Sequence, residues 1–168
     1  MRATPTRDPL RRRLAAWLFV CALAWIAAPV ARSQTAPALA VVAHPGVQMD
    51  NLTLAELRRV LLSDREFWPS GDRVVIVIRA PVARERDVVV RTVCEMTEAQ
   101  FRTHWIGKVF RAETPSGPRI ASSASMAIEQ VRTTPGAITF VAASDIVSGV
   151  KVLTIDGKRP ADPSYRFR

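Results

Sequence analysis

Val74-Val75-Ile76-Val77-Ile78 is the stretch whose reading decides the fold. It is apolar at every position, with no alternation of apolar and polar residues. A strand with one wetted face alternates; a strand covered on both faces reads as a continuous apolar run and belongs to a largely parallel sheet flanked by helices. Pro69-Ser70-Gly71-Asp72 supplies the turn that sets it off from what precedes.

Upstream, Leu39-Ala40-Val41-Val42-Ala43 is a second apolar run, stopped by His44-Pro45-Gly46. Thr53-Leu54-Ala55-Glu56 is a capping box, in which the threonine hydroxyl caps an amide and the glutamate reaches back. The helix it opens extends to about Leu62, with Leu54, Leu57, Val60 and Leu61 on one face. Downstream, residues 83–95 read as a helix with Val89, Val90, Val93 and Cys94 inward. Thr97-Glu98-Ala99-Gln100 is a second capping box, whose helix spaces Phe101, Trp105 and Val109 by four. Ser122-Ser123-Ala124-Ser125 starts a further helix with Ala124, Ile128 and Val131 on one side, ended by Thr134-Pro135-Gly136. Ala137 to Val141 and Val150 to Ile155 are the last strands. Strands separated by helices predict an α/β fold, a three-layer sandwich around a mostly parallel central sheet.

The N-terminus has a different character. Arg2, Arg7 and Arg11-Arg12-Arg13 precede the apolar stretch Leu14–Val30, and Ala31-Arg32-Ser33 places small residues where a signal peptidase reads. This order predicts a secretory signal peptide over 1–33, a leader over 34–37, a domain over 38–155 and a C-terminal tail over 156–168. Two alternatives stay open. A retained anchor needs roughly 20 apolar residues, which Leu14–Val30 approaches, and a lipoprotein would use Cys21, although Leu18-Phe19-Val20 offers no small residue before it. Cleavage implies a periplasmic protein with no stable membrane insertion.

Export changes the meaning of the charge. The chain carries 24 Lys and Arg against 15 Asp and Glu, but residues 1–33 hold six of the arginines and one aspartate, leaving a net of +4 rather than +9. Without zinc ligands or an RNA-binding aromatic signature, that surface gives no reason to expect nucleic acid as a partner. Cys94 is the only cysteine after residue 33, so no internal disulfide can form. His44 and His104 are too isolated for a metal site, and no cofactor motif is present. Cys94 with His104 lacks an orienting acid, and a buried structural thiol accounts better for an inward-facing cysteine. No enzyme is expected.

Three motifs in order carry a resemblance. Leu52-Thr53-Leu54-Ala55-Glu56-Leu57 with Trp68 and Gly71, Thr133-Thr134-Pro135-Gly136-Ala137-Ile138 with Phe140-Val141, and Val152-Leu153-Thr154-Ile155-Asp156-Gly157 with Pro160 and Tyr165 resemble phosphate-type periplasmic substrate-binding proteins. Spanning Leu39 to Tyr165, the resemblance is to a short, single-lobe branch and implies one lobe of a type-2 periplasmic-binding-protein fold. It implies a small anion as ligand and an ABC permease as partner. The family's Gly-Ser-Gly-Thr anion loop, which offers backbone amides at a helix N-terminus, corresponds here to Arg79–Asp87, which has neither glycine nor hydroxyl. Arg79, Arg84 and Arg86 are candidates to replace those amides with guanidinium forks. Ser122, Ser123 and Ser125 lie where the family presents a helix N-terminus to ligand. A second reading keeps the lobe but not the ligand: a module that binds another envelope protein, with the arginines paired to Glu85 and Asp87 and one serine a plain helix cap.

Overall fold

The computed structural model describes residues 37–167. The expected signal peptide and most of the leader lie outside the described residues.

Six strands form one sheet. They are β1 (Leu39–Ala43), β2 (Asn51–Leu52), β3 (Val75–Arg79), β4 (Arg119–Ala121), β5 (Ala137–Ala142) and β6 (Lys151–Ile155), in the order β2-β6-β1-β5-β3-β4. β1 runs antiparallel to both neighbours, β5 and β6, while β2 is parallel to β6 and β3 is parallel to β4 and β5. Five strands therefore share one direction and β1 opposes them, a mostly parallel sheet as expected.

Four helices cover it: α1 (Leu54–Leu61), α2 (Arg84–Thr92), α3 (Glu98–Phe110) and α4 (Ala124–Thr133). Both capping boxes are formed. Thr53 Oγ1 accepts from the Glu56 amide at 3.2 Å while the Glu56 carboxylate accepts from the Thr53 amide at 2.8 Å. Thr97 and Gln100 do the same at the start of α3. Each box satisfies donors that a helix start otherwise leaves open.

Period-two alternation divides the core. Leu39, Val41, Ala43, Ile138, Phe140 and Leu153 face one side, under Leu57 and Val60 of α1, Val89 and Val90 of α2, and Phe101 and Trp105 of α3. Ala40, Val42, Val77, Ala137 and Val141 face the other, under Ala127, Ile128 and Val131 of α4. This is why β1 is buried along its whole length and why its sequence shows no alternation. Trp68 belongs to the first core, and its Nε1–H donates to the Gly136 carbonyl at 2.8 Å. The C-terminal tail adds Tyr165 and Phe167 to the same core, and the Leu39 amide donates to the Phe167 carbonyl. No described helix is long and apolar enough to cross a membrane.

Candidate functional site

β3 and β4 are parallel neighbours that end level with each other, Arg79 opposite Ala121. The chain leaves β3 toward α2, on the three-helix face. It leaves β4 toward α4, on the opposite face. Adjacent strands whose connections depart to opposite faces open a crevice at their carboxyl ends, the place where open α/β sheets take ligands.

Arg79 closes β3 at this crevice, its side chain only 15% exposed. Its guanidinium is loosely held: Nη2 donates to the Ser122 carbonyl at 3.3 Å, Nη1 lies 3.7 Å from Glu85 Oε1, and the buried Nε has no hydrogen-bond partner among the described residues. Ser122 is exposed at the end of β4, its hydroxyl directed only to the Met126 sulfur at 3.7 Å. Ser123 is the N-cap of α4, accepting from the Met126 amide at 3.1 Å, and its hydroxyl lies 2.9 Å from that of Ser125. The first turn of α4 has no acidic side chain. Its leading amides thus face the crevice end with the positive pole of the helix uncompensated.

The start of α2 contrasts with this. Its N-cap, Ala83, has no side-chain bond, and Glu85 and Asp87 in its first turn already answer the dipole. Pro81 contributes no amide there.

Four of the six candidate residues, Arg79, Ser122, Ser123 and Ser125, are thus brought to one edge. Arg84 is turned away, its Nη1 donating to the Pro37 carbonyl at 2.9 Å. Arg86 is buried and fully engaged. Its Nε and Nη2 donate to Glu98 at 2.9 and 2.6 Å, its Nη1 donates to the Arg79 carbonyl at 3.0 Å, and its guanidinium lies over the Phe101 ring. It ties the end of β3 to α3 and so positions Arg79. The acids beside it in sequence serve others, Glu85 facing Arg79 and Asp87 pairing with Arg91. Glu98, which sequence reading left in a capping box, is the actual partner of Arg86.

Elsewhere, Cys94 is wholly buried and burial pushes its thiol up to about 12, while His104 Nε2 lies 3.0 Å from the Leu62 carbonyl. That thiol is an inert core group, not a nucleophile. Among the described residues no cluster of His, Cys, Asp or Glu could hold a metal ion.

Solved structures share this architecture. An ABC-type phosphate transport receptor from Vibrio cholerae matches with a TM-score of 0.59 at 16% identity, over 74% of this chain and 48% of its own. PstS from Borrelia burgdorferi matches with a TM-score of 0.59 at 14% identity, over 74% of this chain and 49% of its own. A phosphate-binding protein from Stenotrophomonas maltophilia gives a TM-score of 0.58 at 12% identity, over 74% and 40%. No family model matches the chain, and no curated protein matches it. The likeness establishes the fold, that of one lobe of a periplasmic-binding-protein architecture. The chain spans about half the length, or less, of the solved structures it matches.

Proposed function

We propose that the chain is an exported, one-lobed binding module that takes a small, phosphate-like oxyanion at the β3–β4 crevice and works in the periplasm, linked to ABC-type transport. The observation that carries this reading is the meeting, at one crevice, of an under-engaged Arg79 guanidinium and the uncompensated N-terminus of α4. A planar guanidinium fork donates to two anion oxygens at once, and first-turn amides with adjoining hydroxyls donate to the remaining ones. The fold likeness supports the reading, since the matched proteins are a phosphate transport receptor and a phosphate-binding protein. Those matches are to binding proteins, which favours capture over catalysis. Residues 1–33 act as the signal, and the domain over 38–155 with its tail over 156–168 is the working unit.

Recognition in a single lobe is weak. Half of the ligand stays in water, salt screens the guanidinium, and no glycine-rich loop brings amides close at the α2 side. A dissociation constant of about 1 mM follows as an order of magnitude. Melting temperature in phosphate or sulfate, against chloride at matched ionic strength, tests it. At about ten times that constant, mass action adds about 1.4 kcal/mol, roughly 5 °C for a domain of this size. Arg79→Gln should abolish the shift and Arg84→Gln should leave it. Absence of any oxyanion-specific shift in the native protein defeats the proposal, as does an undiminished shift in Arg79→Gln.

A further inference from the structure

Beside the anion crevice, α3 and the strand β4 enclose a groove of about 950 Å³. Phe101 and Trp105 form its buried part. Ile106, Phe110 and Ile120 line it while 62%, 90% and 58% exposed. Water-exposed apolar side chains in one continuous depression mark a surface that another molecule covers.

β4 is also the last strand of the sheet. The Ala80 amide donates to the Ala121 carbonyl at 3.1 Å, so the backbone groups of Ala121 face β3. Backbone groups alternate along a strand, so those of Ile120 face outward, with no neighbouring strand among the described residues. A free ladder position thus runs beside an apolar groove.

Charge selects the occupant. Arg86 and Glu98 at the groove neutralise each other, whereas Arg102, which also lines it, has no carboxylate partner among the described residues. Arg119, on the opposite face of β4, donates to the Thr134 hydroxyl at 3.2 Å and likewise meets no carboxylate among them. A second copy paired edge to edge would bring Arg119 toward its own counterpart, and like charges across a strand pair are unfavourable.

We propose that the β4 edge and the α3 groove together receive an extended, acidic-apolar segment of a partner protein as an added strand. Its apolar side chains enter the groove on the α3 face, its backbone pairs with Ile120, and its carboxylates, on the opposite face of the added strand, meet Arg119 across the edge. Backbone pairing gives such a site affinity, and the alternate side chains give it specificity.

Fluorescence anisotropy of the purified protein with a short labelled peptide alternating valine and glutamate is the test. Saturable binding is expected, weakened about fivefold by Arg119→Glu, the size of one cross-strand charge contact. Phe110→Ser, a change at an exposed position, should weaken it also. A peptide of the same sequence N-methylated at the alternate residues whose amides would face β4 keeps its side chains and loses those donors, and should not bind. Equal binding of a valine-lysine peptide, or of the methylated peptide, overturns the proposal. So does a dimer by sedimentation that buries the edge, displacement by a fatty acid but not by the glutamate peptide, or no binding at all. Because Arg79 plays no part, the anion reading stands or falls separately.

Discussion

Removing Arg86 distinguishes a structural arginine from a ligand-binding one, and its cost can be worked from its contacts. Arg86→Ala deletes two charge-assisted bonds to Glu98, one bond to the Arg79 carbonyl and a cation–π contact with Phe101. Breaking a buried pair costs about 3–5 kcal/mol when the remaining charge is trapped. Glu98 is not trapped: its side chain is 41% exposed and rehydrates when released. That lowers the expected loss for Arg86→Ala to about 2–3 kcal/mol. Glu98→Ala leaves the guanidinium, 7% exposed, trapped with only a carbonyl and a ring face, and should cost about 3–5 kcal/mol. The double variant should lose little more than Arg86→Ala alone, a coupling of about 3 kcal/mol or more. Urea unfolding of the four proteins measures the cycle. A loss below about 0.5 kcal/mol for Arg86→Ala, with no coupling, would mean a solvated guanidinium and return Arg86 to the list of anion ligands.

Three further outcomes are expected. Gly136 has φ of +72° and a Cβ there would lie 2.1 Å from the Arg73 carbonyl; Gly136→Ala should therefore cost more than about 2 kcal/mol by thermal unfolding, and a near-neutral result would contradict the packing of that turn. Cys94 should resist iodoacetamide at mildly alkaline pH in the native protein and react in urea, by peptide mapping, because its thiol titrates only near 12; native labelling at the rate of a free thiol would contradict its burial. Intact mass of material from the cell envelope should correspond to a chain starting at Gln34, whereas a mass retaining Met1, or lipid on Cys21, would refute cleavage.

The parts of the fold that sequence reading recovered are those with a local physical signature. Thr53 and Thr97 announce their helices because a capping box needs only four consecutive residues. β1, β3 and β5 announce themselves because burial on both faces leaves almost wholly apolar runs, with only Thr139 inside β5 and Arg79 at the end of β3 as exceptions. β2 and β4 escaped, being two and three residues long, too short for a period, and β4 is exposed at Arg119 and Ile120. Phe167 escaped for a similar reason, since its place in the core depends on the Leu39 amide, which is far away in the chain. The site was half legible. The position of Ser123 as a cap follows from its own neighbours, but the sorting of the arginines does not. Arg86 is decided by Glu98 in another helix, and Arg84 by the carbonyl of Pro37. Pairings across the fold leave no spacing to read.

The central claim, an oxyanion at the β3–β4 crevice, is tested most directly by following backbone amide and arginine Nε resonances while phosphate is titrated into the native protein. Saturable shifts are expected at Ala124, Ser125 and the Arg79 Nε, with the start of α2 unmoved. Shifts confined to other basic side chains, or none beyond those of a chloride titration, would contradict it.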